Sequence, residues 1–103
     1  MNLEEVKNIL KSTGLPVAYH SFTEEEAPSL PFICFISPGT SNFAADGVVY
    51  AKANQIQVEL YTKYRDFELE EKVEEALSSF YWEKESEYLE SEKCFQTIYE
   101  LEV

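Results

Sequence analysis

The stretch Phe32-Ile33-Cys34-Phe35-Ile36 is apolar at every position, and it constrains the fold more than any other part of the chain. A strand with one wet face alternates polar and apolar residues, whereas an unbroken run needs cover on both faces. The segment is expected as a central strand, covered within a sheet or against neighbouring subunits. Pro31 stands at its entrance, and Pro38-Gly39 is expected to mark its exit.

The other segments sort by their period. Leu3, Val6, Ile9 and Leu10 recur at helical steps from Leu3 to about Thr13, which gathers them on one face. Asn2 with Glu5 gives a start resembling a capping box, and Gly14 followed by Pro16 gives a stop. Val17 to Phe22 reads as a strand, and the polar stretch Thr23 to Ser29 as an exposed loop. Thr40 to Gly47 is rich in turn formers, and its Asp46-Gly47 suggests a hairpin bend into a strand that starts at Val48.

From Ile56 the pattern alternates: Ile56, Val58 and Leu60 point one way, Gln57, Glu59 and Tyr61 the other. Asp66 can cap a second helix whose apolar stripe is Leu69, Val73, Ala76, Leu77 and Phe80. Its acids Glu68, Glu70, Glu71, Glu74 and Glu75, with Lys72, are expected on a solvated face, the earliest of them favoured by the helix dipole. A short strand around Tyr81 to Lys84 and an alternating one from Phe95 to Val103 complete the chain. The expected fold is α+β in the order α-β-β-β-α-β-β, a largely antiparallel sheet with two helices on one face. At 103 residues there is room for one core, hence a single domain over 1–103.

The charge is unusual: 20 acidic against 8 basic residues give a formal net charge of -12. Such a surface repels nucleic acid phosphates and anionic lipid, whose binding depends on Lys and Arg. The same acidity also serves plain solubility. No secretory leader pattern opens the sequence and no apolar run approaches the ~20 residues of a membrane span, so the expected compartment is the cytoplasm. Cys34 and Cys94 lie far apart in apolar stretches and read as reduced core residues.

Catalytic and metal chemistry finds little to work with. His20 is the only histidine, with no nucleophile signature around it, and reads as an ordinary surface or half-buried side chain. The cysteines lack a partner at zinc spacing. No EF-hand spacing orders the carboxylates, and Gly14, Gly39 and Gly47 are too scattered to cradle phosphate. No catalytic residue, metal or cofactor is expected.

Aromatics are plentiful: 7 Tyr, 7 Phe and Trp82 exceed what a core of this size comfortably encloses, and Tyr and Trp suit partner surfaces. Phe32, Phe35, Phe80 and Phe95 are expected in the core. Tyr50, Tyr61, Tyr64 and Trp82 are the interface candidates.

The segments Asn42 to Tyr50, Val58 to Thr62 and Glu68 to Leu77, with the opening helix and the Pro31-Phe32-Ile33 strand, resemble the head-tail joining proteins of tailed phages and prophages of Gram-positive bacteria. The likeness covers most of the chain and is one of order and phrasing, with no catalytic signature in it. It implies a tail terminator or tail-completion protein: an α+β subunit of a ring, hexameric on the tail, that caps the tail tube and receives the head connector. The partners implied are further copies of itself, tail-tube and head-connector proteins. DNA passes without being bound, and the place of action is the host cytoplasm during assembly and then the virion tail. Asn42, Phe43, Asp46 and Tyr50 enter the interface set through this resemblance.

Two other readings stand beside it. An acidic DNA mimic would use the second helix and the Glu83 to Glu92 stretch to imitate phosphate spacing and block a nucleic-acid-binding protein. A small hydrolase would need convergent carboxylates of raised pKa in a pocket.

Overall fold

The computed structural model describes the backbone of every residue except Met1, Glu24, Asp46 and Gly47, and the side chains of those outside 40–53 as well. Its elements follow the order α1 (Leu3–Lys11), β1 (Val17–Tyr19), β2 (Phe32–Ala45), β3 (Val48–Thr62), α2 (Phe67–Ala76), β4 (Trp82–Leu89) and β5 (Cys94–Glu102). The fold is α+β, in the order expected from the sequence.

Both helices start where their caps predict. The Glu5 backbone N–H donates to Asn2 Oδ1 at 2.8 Å, and the Leu69 N–H donates to Asp66 Oδ1 at 3.1 Å, each satisfying one of the orphan donors of a first turn. Past α1, Gly14 takes φ +83°, a conformation that costs glycine little. His20 also has a positive φ, 69°, which ends β1 at Tyr19 and sends the chain across the sheet; the expected strand through Phe22 is thus cut short. Phe22 then meets Phe32 edge-on, with ring centroids 5.4 Å apart.

The five strands form one mixed sheet in the order β1-β2-β3-β5-β4. β1 runs parallel to β2, and all other pairs are antiparallel. The apolar run of β2 is an interior strand, as its pattern demanded. Ile33 and Phe35 lie in the main core with Val6 and Leu10 of α1, Val73 of α2 and its C-cap Leu77, and Val58, Leu60 and Tyr99 of the neighbouring strands. Cys34, on the opposite face, is also buried. Of the four phenylalanines expected in the core, Phe35 is buried, while Phe32, Phe80 and Phe95 are half-buried. Leu3 remains exposed on the first turn of α1.

Pro38-Gly39 does not end β2. The register passes from Ile36↔Gln57 to Gly39↔Gln55, so one extra residue of β2 is accommodated in a bulge. A proline at a bulge sacrifices no ladder hydrogen bond, and the strand continues to Ala45. The expected turn region from Thr40 is therefore strand, and the hairpin bend assigned to Asp46-Gly47 falls outside the described residues.

The pairing of β3 with β5 begins at Gln55↔Glu102, bounded by the reciprocal Asn54–Val103 backbone bonds of 3.0 and 2.9 Å. Beyond that point, among the described residues, β2 and β3 pair only with each other, from Gly39↔Gln55 to Ala45↔Val48. They form a two-stranded ribbon reaching ~20 Å past the sheet at the usual rise per residue.

Candidate functional site

The helices cover one face of the sheet, and among the described residues no helix lies on the other. The registers place Phe32, Tyr61, Gln96 and Glu87 in one row across this open face, Cys34, Glu59, Ile98 and Glu85 in the next, and Ile36, Gln57, Glu100 and Glu83 in a third. Rows near β2 are apolar or neutral, and rows at β4 end in carboxylates. The face is thus graded from an apolar side, crossed by Phe22, to an acidic edge.

At its middle lies Glu59, only 9% exposed and with no cation beside it among the described residues. Its carboxylate accepts hydrogen bonds from Gln57 Nε2 at 3.2 Å, Gln96 Nε2 at 3.4 Å and the Tyr61 hydroxyl. Gln96 Nε2 also donates to Tyr61 Oη at 2.9 Å. A buried carboxylate in such a ring of neutral donors is satisfied, which explains a glutamate at this depth. Burial, and then the hydrogen bond to Glu59, raise the Tyr61 phenol above its ordinary value. Burial first, and the Glu59 charge second, push the Cys34 thiol up to about 11. Both groups stay protonated, so the network is a fixed element of the face and supplies no nucleophile at neutral pH.

The acids of the helix face behave differently from expectation. Glu70 was expected on the solvated side of α2, yet it is 2% exposed. Arg65 donates to it from Nε at 2.8 Å and Nη2 at 3.2 Å, and Lys84 Nζ reaches its Oε1 at 3.1 Å and Glu74 Oε2 at 2.8 Å. The Tyr99 hydroxyl, on the floor of this cluster, donates to Glu74 Oε2 at 2.8 Å. Burial alone would raise the Glu70 carboxyl, but the hydrogen bonds and charges of Arg65 and Lys84 outweigh it and hold it below its ordinary value. The cluster pins α2 to β4 and β5, a structural task. Its signal was present in the sequence, because Glu70 stands three residues before Val73 and seven before Leu77, on the buried stripe itself.

The seven interface candidates do not converge on one site. Tyr61 lies on the open face within the Glu59 network. Trp82 points to the helix face, edge-on to Tyr99 at 5.4 Å between centroids. Tyr64, 70% exposed, stands in the connection before α2 with Lys63 Nζ 5.5 Å from its ring centroid. Asn42 and Phe43 belong to the β2 arm of the ribbon, and Tyr50 is the extra β3 residue where the register passes from Phe43↔Ala51 to Ala44↔Val49. Asp46 lies outside the described residues. A bulge turns a strand, so the ribbon carries one near its base and one at Tyr50.

Sequence reasoning names Glu83 to Glu92 as an acidic stretch but does not place it at the edge of the sheet. Glu83, Glu85 and Glu87 are exposed on β4, joined by Glu100 and Glu102 of β5, and their two-residue spacing was legible as one face of a strand. A groove of ≈ 540 Å³ opens at the end of this edge, lined in part by Pro38, Tyr81, Glu83, Glu100 and Glu102. Among the described residues no group of three or more His, Cys, Asp or Glu side chains could hold a metal ion. The one side-chain hydrogen bond of His20 among the described residues joins Nδ1 to Ser21 Oγ at 3.3 Å, while its backbone N–H donates to the Phe35 carbonyl at 2.8 Å. Among the described residues no helix is long and apolar enough to cross a membrane.

No protein-family model matches the chain, and no curated protein matches it.

Proposed function

We propose that the chain is a non-catalytic structural subunit of the head-tail junction of a tailed phage or prophage, a tail terminator or tail-completion protein that joins copies of itself in a ring on the tail tube. The observation that carries this reading is the ribbon. A two-stranded ribbon standing clear of its sheet is marginal in water and gains stability by contact with something else. Between Glu26 and Glu59 the only charged residues are Asp46 and Lys52, so this projecting arm is the near-neutral part of a chain that otherwise carries a net charge of -12. Copies that repel each other elsewhere can touch there. The acidity supports the passage of DNA without grip, since phosphates meet carboxylates.

Ring closure by such chains is opposed by their like charge at low salt, so the ring forms on the tail and the free chain is a monomer. Pull-down with tail-tube and head-connector proteins tests the assignment: binding to either is expected, and binding to neither removes the reading. Sedimentation at moderate salt tests the template requirement, which a stable hexamer of the isolated chain would refute.

The DNA-mimic reading keeps one specific observation, the row Glu83, Glu85, Glu87, whose carboxylates repeat every ~6.8 Å along a strand. A mimic competes with duplex DNA for a basic protein in a salt-sensitive way and shows no affinity for tail tube.

A further inference from the structure

β4 is the last strand of the sheet. Its inner edge is paired with β5 from Trp82↔Leu101 to Leu89↔Cys94, and among the described residues no strand lies on its outer edge. An eight-residue edge with free N–H and C=O groups is a template for another strand. The two sides of that template differ in charge. Toward the open face it presents Glu83, Glu85 and Glu87, and toward the helices Trp82, Lys84, Ser86 and Tyr88. Among the described residues no lysine or arginine occupies an open-face position in the paired registers of β2, β3, β5 and β4. Glu85, Glu87, Glu100 and Glu102 have no ion pair or hydrogen bond to their carboxylates among the described residues, and Glu83 accepts only the Tyr81 hydroxyl at 3.2 Å.

These features select the occupant. A second copy pairing through the same edge would lay Glu83, Glu85 and Glu87 against their own equivalents, and like charges across strands oppose pairing. A duplex nucleic acid is repelled. What complements the edge in both backbone and charge is an extended segment with cations on one face. We propose that β4 is a docking edge for an extended segment of a partner protein with Lys or Arg at every second position, which adds to the sheet beside β4 and sets its cations next to Glu83, Glu85 and Glu87.

The two-residue repeat of an added strand, ~6.8 Å, is that of the glutamates, so the pairs stay in step along the edge. The intervening residues of the partner point to the helix side. There Lys84 is engaged by Glu70 and Glu74 and disfavours a cation, while Trp82 and the half-exposed Tyr88 favour apolar groups. Lys84 therefore makes the edge selective for alternation as opposed to a simple cluster of positive charge. The groove beyond Trp82, with Tyr81 82% exposed at its rim, has room for one further long cationic side chain. This mode of recognition, main-chain pairing for affinity and alternate side chains for specificity, is strand addition. It needs no tail component and stands or falls apart from the tail reading.

The test uses the whole chain, isotope-labelled for amide spectra, and two synthetic peptides of equal charge: one alternating Lys with Val, the other of the same sequence with every backbone N–H methylated so that it cannot pair. The alternating peptide is expected to shift amides of 82–89 preferentially, to bind more weakly as salt rises, and to lose about tenfold in affinity to the exposed-surface variant Glu83→Gln/Glu85→Gln/Glu87→Gln. The same spectra report that the variant is folded. Equal binding of the N-methylated peptide would reduce the edge to an unspecific acidic patch and overturn the proposal, as would shifts that spare β4 or unchanged affinity in the Gln variant.

Discussion

Arg65 holds Glu70 through two nitrogens, Nε at 2.8 Å and Nη2 at 3.2 Å, and it does so across the N-terminal turn of α2 over a carboxylate that water scarcely reaches. Lys84 arrives from β4 on the other oxygen. A helix and an edge strand far apart in sequence are thereby tied to one buried charge.

Replacing Glu70 separates its charge from its shape. Glu70→Gln keeps the size and removes the ion pairs, leaving Arg65 and Lys84 with side chains exposed enough to regain water. The expected loss is about 1–2 kcal/mol in urea unfolding, below the cost of stranding a fully buried partner. Arg65→Ala combined with Lys84→Ala leaves the buried carboxylate itself unpaired and should cost more than Glu70→Gln. The reverse order would mean that the cluster does not hold the charge in place.

The same cluster sets an acid limb. The Glu70 carboxyl is held below its ordinary value near 4.5, so its contribution is present above the unfolded value and is lost as pH falls through the folded one. The stability gap between the native chain and Glu70→Gln should be level from pH 7 to 5 and close below about pH 4.5. A gap that widens on acidification would contradict the assignment.

Tyr99 is fully buried, and its hydroxyl donates to Glu74 Oε2 at 2.8 Å and, more weakly, to the Glu70 backbone carbonyl at 3.4 Å. Burial, followed by the Glu74 hydrogen bond, raises its phenol well above the usual tyrosine range. Tyr99→Phe removes the donor with little change of volume, and Glu74 keeps Lys84. The expected cost is about 1–2 kcal/mol by denaturant titration, and no phenolate absorbance from Tyr99 should develop in the native chain at pH 11.

At Gly14 the question is backbone alone. Its φ of +83° is disfavoured for a residue with a Cβ, yet a Cβ there would meet nothing within 4 Å. Gly14→Ala is expected to cost about 1 kcal/mol in thermal unfolding and Gly14→Asn less, since asparagine tolerates the left-handed region. A much larger loss for alanine would point to a clash that the open surroundings do not contain.

What could be read in the sequence was local. Asn2 and Asp66 mark their helices because a cap is a bond between near neighbours, and Ile56 to Leu60 or Thr97 to Leu101 mark their strands because a half-buried strand writes its own alternation. Two misreadings had one physical source, a residue type taken at its average value. Pro38-Gly39 is a stop in most strands but fits a bulge, so β2 and the ribbon were cut short at the point where they leave the sheet. Glu70 is an acid on a helix rich in acids, and its burial depends on Arg65 and Lys84 closing over it, one of them from a strand fourteen residues away. The acidic edge was legible as alternation on β4, but that β4 ends the sheet is a matter of strand order, which no local pattern states.

The two thiols offer a test of the open face. Cys34 lies buried beside the Glu59 network with its pKa pushed up to about 11, by burial first and the Glu59 charge second, offset in part by a backbone hydrogen bond from Phe22. Burial, and then Glu92, also raise Cys94. Only the thiolate attacks a disulfide reagent, and at pH 8 a thiol with that pKa is ionised in roughly one molecule in a thousand. Cys34 should react at least about a hundredfold more slowly in the native chain than in urea, where its pKa returns to near 8.5. Phe22→Ala removes the ring packed on Phe32 and should raise the native rate at Cys34 several-fold while leaving Cys94 unchanged, with peptide mapping to tell the two apart. Equal acceleration at both sites would instead mean that the variant loosens the whole sheet, and an unaltered Cys34 rate would mean that the segment after His20 does not seal this side of the face.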